Sequence, residues 1–287
     1  LLRNRSMQQS IIQVDAFTNT PFKGNPAAVC VMATAATDEW MRQVAAEMNL
    51  SETAFLVSQP CSEGQIGEGA NYSLRWFTPE VEVDLCGHAT LASAHVLWSE
   101  GFVARTNIIR FHTKSGQLTA TLASEADGDW ITLDFPSQPV TPIAALPTLT
   151  LALNCDVRGI YASEVNYLVD VESEATLRSL HPDMTLLTQL PLQGTIVTAS
   201  SSDASKSNTG QYDFVSRYFA PNAGIDEDPV TGSAHCSLVP FWKERLHKSK
   251  MLAYQASARG GVLKVAERGD RVTISGQAVT VMKGELL

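Results

Sequence analysis

The chain has 287 residues, with 21 Lys and Arg against 30 Asp and Glu, a formal net charge of −9. Hydrophobic residues make up 44% and charged residues 18%. That is a globular apolar share with a charged share below the ~25% of an average soluble protein, which excludes a disordered chain. The acidic balance argues against a nucleic-acid partner, because neutralising phosphates needs clustered Lys and Arg.

The length predicts two domains or one large one. The basic start Leu1-Leu2-Arg3-Asn4-Arg5 has no apolar segment behind it, so no signal peptide is expected. Met7 is a candidate native start, and residues 1–6 are set aside. A strand is predicted over 29–32. The apolar run around it, Ala27 to Ala36, is too short for the ~20 residues of a membrane span. Thr37 to Met48 reads as an amphipathic helix with Asp38 near its start. A strand begins near Thr53, and another covers 72–77. Ala89 to Trp98 is almost entirely small or apolar, the mark of a helix buried all round. Strands follow at 107–111, 117–122 and 130–135. Pro136 to Pro147 holds four prolines and reads as an inter-lobe linker. After it come a strand at 195–199, a polar Ser-rich stretch from Ser200 to Gly210 that reads as a mobile loop, and a strand at 213–219. A second small-residue helix runs from Ala234 to Trp242, and strands close the chain at 262–265, 271–274 and 278–282.

Part of this order occurs twice. Phe77-Thr78-Pro79 leads into Gly87-His88-Ala89, and Phe219-Ala220-Pro221 leads into Gly232-Ser233-Ala234. The hairpin Ser115 to Leu133, turning at Gly128-Asp129, matches Gly260 to Ile274, turning at Gly269-Asp270. Strand, loop, small-residue helix and hairpin in the same order predict two similar lobes, each with a central helix wrapped by strands.

Three segments carry candidate chemistry. In Asn49-Leu50-Ser51-Glu52-Thr53, Glu52 sits where a helix ends and a strand begins, a junction from which side chains can face a cleft. A capping glutamate is the plainer reading. In Asp84-Leu85-Cys86-Gly87-His88, Gly87 permits close backbone approach. The next N–H groups lie at a buried helix's N-terminus, where orphan donors and the dipole attract anions. His88 is there a donor, an acid–base group or a cap, and the positive helix end favours its neutral form. In Glu227-Asp228-Pro229-Val230-Thr231-Gly232-Ser233, acids precede a second such helix start, which reads as an N-cap or as a second anion site. With a lobe contributing each helix end, a carboxylate or a developing enolate oxygen could be held, with Glu52 and Asp228 as candidate proton carriers.

Other signatures are absent from the sequence: the P-loop, the nucleophile elbow and the dinucleotide fingerprint. Cys30, Cys61, Cys86, Cys155 and Cys236 are odd in number and lack a Cys-x-x-Cys, so reduced thiols in a cytoplasmic protein are expected. Cys30 and Cys236 read as small core residues, and His95 and His235 as residues on or beside the core helices. His88 and His95 have no third ligand close in sequence, so no metal site is expected.

Several stretches together resemble the phenazine-biosynthesis-like (PhzF-like) family: Val14-Asp15-Ala16-Phe17-Thr18, Phe22-Lys23-Gly24-Asn25-Pro26-Ala27, Leu50-Ser51-Glu52-Thr53-Ala54-Phe55, Arg75-Trp76-Phe77-Thr78-Pro79, Leu85-Cys86-Gly87-His88-Ala89-Thr90, Tyr218-Phe219-Ala220-Pro221, Glu227 to His235 and Arg259-Gly260-Gly261. Several resemble in wording its phenazine biosynthesis-like domain-containing branch. The resemblance implies an α+β, diaminopimelate-epimerase-like fold of two pseudo-symmetric lobes, each a curled, mainly antiparallel sheet around a central helix. The lobes would cover 7–136 and 137–277, with the final strand 278–287 returning to the first. It further implies a cofactor-independent isomerase with its site between the lobes and no metal. The glutamate matching Glu52 is the family's acid–base residue, assisted by residues matching His88, Asp228 and Ser233. Ser51, Gly87, Thr231 and Gly232 are expected to bind substrate. The epimerases of the wider superfamily use two cysteines. Here Cys86 stands beside the first position and Pro229 near the second, so a two-thiol racemase is not expected, and Cys86 reads either as a substrate-facing thiol or as a small residue beside Gly87. A small anionic metabolite is the expected ligand and a homodimer the default assembly. A non-catalytic interaction protein on an enzyme fold, or a lyase or tautomerase using the same proton abstraction, are the competing readings.

Overall fold

The computed structural model describes residues 8–60, 69–201, 206–207 and 210–287. The chain divides into two compact units, Leu1–Leu133 with Gly276–Leu287, and Asp134–Ser275. These bounds compare with 136 and 277 read from the sequence.

In the first unit the chain runs β1 (Gln9–Ala16), β2 (Asn25–Met32), α1 (Asp38–Met48), β3 (Glu52–Gln59), β4 (Gly69–Phe77), β5 (Glu82–Val83), α2 (Gly87–Ser99), β6 (Ile108–Thr113), β7 (Gly116–Glu125) and β8 (Gly128–Pro136). The pairing sequence is β1–β2 antiparallel, β2–β3 parallel, β3–β4 antiparallel, β4–β6 parallel, then β6–β7 and β7–β8 antiparallel. The short β5 lies antiparallel beside β4.

The second unit continues with β9 (Thr141–Pro142), α3 (Pro147–Leu153), β10 (Val157–Ala162), β11 (Asn166–Val171), α4 (Glu174–Arg178), α5 (Met184–Leu187), β12 (Gly194–Ser200), β13 (Lys206–Ser207), β14 (Gly210–Gln211), β15 (Phe214–Ala220), β16 (Ile225–Asp228), α6 (His235–Leu246), β17 (Lys250–Gln255), β18 (Gly261–Arg268) and β19 (Arg271–Gly276). Its pairings repeat the first unit's: β10–β11 antiparallel, β11–β12 parallel, β12–β15 antiparallel, β15–β17 parallel, then β17–β18 and β18–β19 antiparallel. The short β16 lies beside β15 as β5 does beside β4. The last strand, β20 (Ala278–Leu286), pairs antiparallel with β1, and β9 takes the same place beside β10. The duplication legible in the sequence is thus a duplication of the whole ladder.

Register makes the comparison residue-specific. Thr53 pairs with Phe77 in the first unit and Thr195 with Phe219 in the second. The position equivalent to Glu52 is therefore Gly194. A Cβ there would lie 2.2 Å from the Tyr218 hydroxyl and 2.6 Å from Asn166 Oδ1. The second unit has filled that place with a Tyr–Asn pair, Tyr218 donating to Asn166 at 3.0 Å, and has no room for a carboxylate.

Each unit is built around its long helix. α2 is buried from Gly87 to Trp98 except at His95, and it packs on β1, β2, β3 and β20. Thr90 and Ser93 satisfy their hydroxyls inside the helix, donating to the Cys86 and Ala89 carbonyls at 2.5 and 2.7 Å, so the helix stays apolar outward. α1 starts one residue later than the sequence reading of Thr37 to Met48, because Thr37 is its cap: Thr37 Oγ1 accepts from the Trp40 N–H, Asp38 and Glu39 fill the first turn, and Asn49 ends it in the left-handed conformation at φ 50°. α6 is buried from His235 to Trp242 except at Pro240, and the exposed charged residues Lys243, Glu244 and Arg245 follow.

α6 carries Pro240 in its interior. Proline has no N–H for the carbonyl four residues back. That carbonyl, Cys236, accepts instead from the Gln138 N–H at 3.0 Å, and Ser237 Oγ donates to the Gln138 carbonyl at 2.8 Å. The proline-rich stretch read as a linker is therefore stitched to α6 at Gln138 and belongs to the second unit. The loop read over 200–210 lies partly outside the described residues. Its described part contains the β13–β14 pairing, Lys206 opposite Gln211.

Candidate active site

In the first unit, Glu52 is the first residue of β3, in parallel register with Ala27 of β2. Its side chain is 14% exposed. Asn25, two residues before Ala27, and Asp15 on β1 are both buried. Asp15 Oδ2 accepts the Phe22 N–H at 2.7 Å, which holds the β1–β2 turn where Phe22 takes a positive φ of 68°.

Cys86 caps α2 from an extended backbone conformation, φ −144° and ψ 112°, and makes no side-chain capping bond. Gly87 and His88 follow as the first two helical residues. His88 is buried, and its Nε2 stands 3.2 Å from Glu52 Oε2. Its Nδ1 stands 3.5 Å from Cys86 Sγ. One imidazole thus lies between a carboxyl and a thiol. The Nε2 approach falls short of full hydrogen-bond alignment, as catalytic pairs often do in the absence of substrate. A neutral imidazole holds one proton. With it on Nε2 the ring donates toward a Glu52 carboxylate and accepts from the thiol; with it on Nδ1 the ring accepts from a Glu52 carboxylic acid. Either protonation state of Glu52 therefore has a complementary His88 tautomer.

In the second unit, Asp228 ends β16, opposite Tyr218. Its Oδ2 accepts a hydrogen bond from Thr231 Oγ1. Burial, with Asp228's charge in addition, pushes the Tyr218 phenol well above its usual range, so that phenol stays a neutral hydrogen-bond donor. The turn leading into α6 is held by Gln255, fully buried on β17. Its Nε2 donates to the Asp228 carbonyl at 2.9 Å and to Thr231 Oγ1 at 3.1 Å, and its Oε1 accepts the Thr231 N–H at 2.8 Å. Ser257 Oγ donates to the Pro229 carbonyl at 2.7 Å. α6 opens with i+3 bonds from His235 and Cys236 to the Gly232 and Ser233 carbonyls. Ser233 is half-buried and Gly232 buried. Upstream, Arg217 fixes β16: its guanidinium makes two bonds to the Glu227 carboxylate, at 2.7 and 2.9 Å, and donates to the Leu177 and Leu180 carbonyls.

The structure thus gathers Glu52, Gly87 and His88 with Cys86 in one unit, Ser51 directly preceding Glu52. It gathers Asp228, Thr231, Gly232 and Ser233 in the other. Sequence reasoning assigned no part to Gln255 or Arg217, whose meaning lies in strand pairing alone. The other cysteine readings hold: Cys30 and Cys236 are buried free thiols, each pushed up to about 12 by burial. Cys155 is a partly exposed free thiol, and Cys61 lies outside the described residues. His235 lies on α6, wholly buried, and His95 on α2, its Nε2 3.0 Å from Thr280 Oγ1. Among the described residues no helix is long and apolar enough to cross a membrane.

The chain is 51% identical over 283 residues to a protein of Halalkalibacterium halodurans named an uncharacterized isomerase, covering 98% of this chain and 99% of that one. It is 42% identical over 299 residues to phenazine biosynthesis-like domain-containing protein 1 of Mus musculus, with the same coverage. The crystal structure of a PhzF-family phenazine biosynthesis protein of Enterococcus faecalis is 42% identical and superposes with a TM-score of 0.86, covering 98% of this chain and 100% of that one. A hydroxyproline epimerase of Agrobacterium vitis, 11% identical with a TM-score of 0.59 over 97% of this chain and 91% of its own, shares the fold alone. The architecture is therefore α+β and epimerase-like. The model of the phenazine biosynthesis-like protein family, PhzC–PhzF, matches residues 14–284, and the chain belongs to that family.

Proposed function

We propose that the protein is a cofactor-independent isomerase that moves a proton on a small carboxylate-bearing metabolite, with Glu52 as general acid and base. The observation that carries this reading is the 3.2 Å approach of His88 Nε2 to Glu52 Oε2 on a buried helix N-terminus. A relative named as an isomerase, alike over nearly the whole of both chains, supports it.

In this reading Glu52 accepts a proton from a carbon next to the substrate's carboxylate or conjugated double bond and returns it at a second carbon. His88 changes tautomer as Glu52 gains or loses its proton, so neither state is left with an unpaired partner. Ser51 and Gly87 present backbone and small side-chain surface to the substrate. Asp228 and Ser233 assist in proton handling, and Gly232 binds the substrate's anionic group through its N–H in the turn that leads into α6, while Thr231, whose own N–H is held by Gln255 Oε1, lines the same turn. Positioned acid–base catalysis contributes typically ~10²–10⁴-fold. Losing Glu52 is therefore expected to cost at least that much of turnover.

The test is a screen of carboxylate metabolites in D₂O, read by chromatography and mass spectrometry. Wild type should give a new isomer or a gain of deuterium that a folded Glu52→Gln variant does not. Chromatography is required because a proton kept within the site need not exchange with solvent. Turnover by Glu52→Gln would refute the assignment. Silence of wild type across a broad carboxylate set would favour the interaction-protein reading.

A further inference from the structure

We propose that Glu52, Cys86 and His88 also form a binding site for a soft divalent cation of the zinc class, and that occupancy of this site blocks the acid–base pair. The binding itself is argued from the donor set. The blocking rests on the role proposed for Glu52.

One donor atom from each of the three residues lies within 4.8 Å of the other two. Zinc bonds of roughly 2.0–2.3 Å in tetrahedral geometry place neighbouring ligand atoms about 3.3–3.7 Å apart. Closing the triangle thus takes shifts of about 1 Å, within reach of side-chain rotation. Cys86 makes no side-chain capping bond to α2, so turning its Sγ toward the metal costs the helix no cap. His88 gives one ring nitrogen to the metal.

The chemistry of the set is selective. A thiolate, an imidazole and one carboxylate suit zinc and its neighbours; magnesium and calcium need several oxygen ligands. Two anionic ligands neutralise a dication, which outweighs the partial positive charge at the start of α2. Cys86 and His88 are both buried, so the bound cation would be shielded from competing water. Three protein ligands leave a fourth position open, as in zinc sites that take an exogenous ligand.

The consequence for catalysis follows from lone pairs. A Glu52 oxygen bonded to zinc cannot accept a proton from carbon, so metal occupancy and acid–base turnover exclude each other. A thiol beside the proton carrier thereby makes the site sensitive to free zinc.

The test uses the full-length protein, stripped of metal. Cobalt(II) serves as spectroscopic probe, and zinc affinity is measured by competition with a fluorescent chelator. One equivalent of cobalt should produce a thiolate-to-metal charge-transfer band that is lost in Cys86→Ser and Cys86→Ala. The two variants guard against a folding defect in either one, with circular dichroism confirming the fold. Glu52→Gln and His88→Gln should each weaken zinc binding at least tenfold, the lower end of what even outer-shell partners cost. A Cys61→Ser/Cys155→Ser double variant should keep both band and affinity, and excess magnesium should not displace zinc. The proposal falls if the band is absent, if it survives in the folded Cys86 variants, or if zinc affinity is unchanged by Glu52→Gln and His88→Gln. Glu52-dependent isomerisation that persists at saturating zinc would overturn the blocking step while leaving the function of Glu52 intact.

Discussion

The acid sensitivity of the second unit should be set by one buried imidazole. His235 is wholly buried at the start of α6, against Phe214 at a ring separation of 6.1 Å. Its Nδ1 lies 2.9 Å from the Thr231 carbonyl. A carbonyl only accepts, so Nδ1 carries the proton and donates. Burial lowers the His235 pKa from 6.5 to about 4, the hydrogen bond opposing in part. The unfolded chain therefore binds a proton on this residue below about pH 6.5 that the folded chain refuses until about pH 4. The sign follows from linkage: this contribution is present in full above pH 6.5 and is lost as pH falls toward 4. A shift of that size is worth about 3 kcal/mol at ~1.4 kcal/mol per unit. Urea unfolding at several pH values between about 7 and 4.5 should show wild type losing up to that amount relative to His235→Asn, whose amide can still donate to the Thr231 carbonyl. Parallel stability–pH curves for the two proteins would refute the reasoning.

Gly276 stands where an added Cβ would lie 2.4 Å from Phe17 Cδ1 and 2.9 Å from Leu91 Cδ1; both side chains are fully buried and Phe17 is pinned at φ 64°. Gly276→Ala should cost about 1–3 kcal/mol of overpacking strain, read as a lower urea midpoint with unchanged slope. Arg217→Met removes one partner of a mostly buried ion pair together with two carbonyl caps, and should cost about 3 kcal/mol. It should also lower turnover, because Glu227 and Asp228 share β16, whereas a variant at the exposed pair Arg42–Glu39 should change neither.

Much of the fold could be read before the structure because its two halves repeat. The small-residue helices declared themselves by being apolar on every face. α1 showed its amphipathic pattern, with Asp38 near its start. What escaped was hidden for identifiable reasons. β11 is buried at every position, so Asn166-Tyr167-Leu168-Val169-Asp170-Val171 shows no alternation from which to infer a strand. The end of α6 was missed because Lys243, Glu244 and Arg245 leave the apolar run while the helix continues. The prolines of 136–147 read as an inter-lobe linker, but the stretch belongs to the second unit, tethered at Gln138 to a carbonyl that Pro240 leaves free.

The site divides in the same way. Glu52, His88 and Asp228 lie at element junctions, which sequence can locate. Their partners depend on register. Cys86 meets His88 through the local turn, but His88 meets Glu52 only because β2 and β3 run parallel and α2 packs across them. Gln255 and Arg217 are single polar residues inside strands, and no local pattern distinguishes them from solvent-facing positions. That Gly194 stands where the first unit has Glu52 likewise becomes visible only once the two ladders are aligned.

The most direct test of the central claim compares wild type, Glu52→Asp and Glu52→Gln on the substrate that the metabolite screen identifies. Glu52→Asp keeps a carboxylate but withdraws it by one methylene; Glu52→Gln keeps the length and removes the base. If Glu52 carries the proton, Glu52→Asp should retain a small, measurable fraction of turnover. Glu52→Gln should lose at least the ~10²–10⁴-fold that a positioned acid–base group supplies, with substrate binding and folding preserved. Equal turnover in Glu52→Gln and wild type would contradict the account.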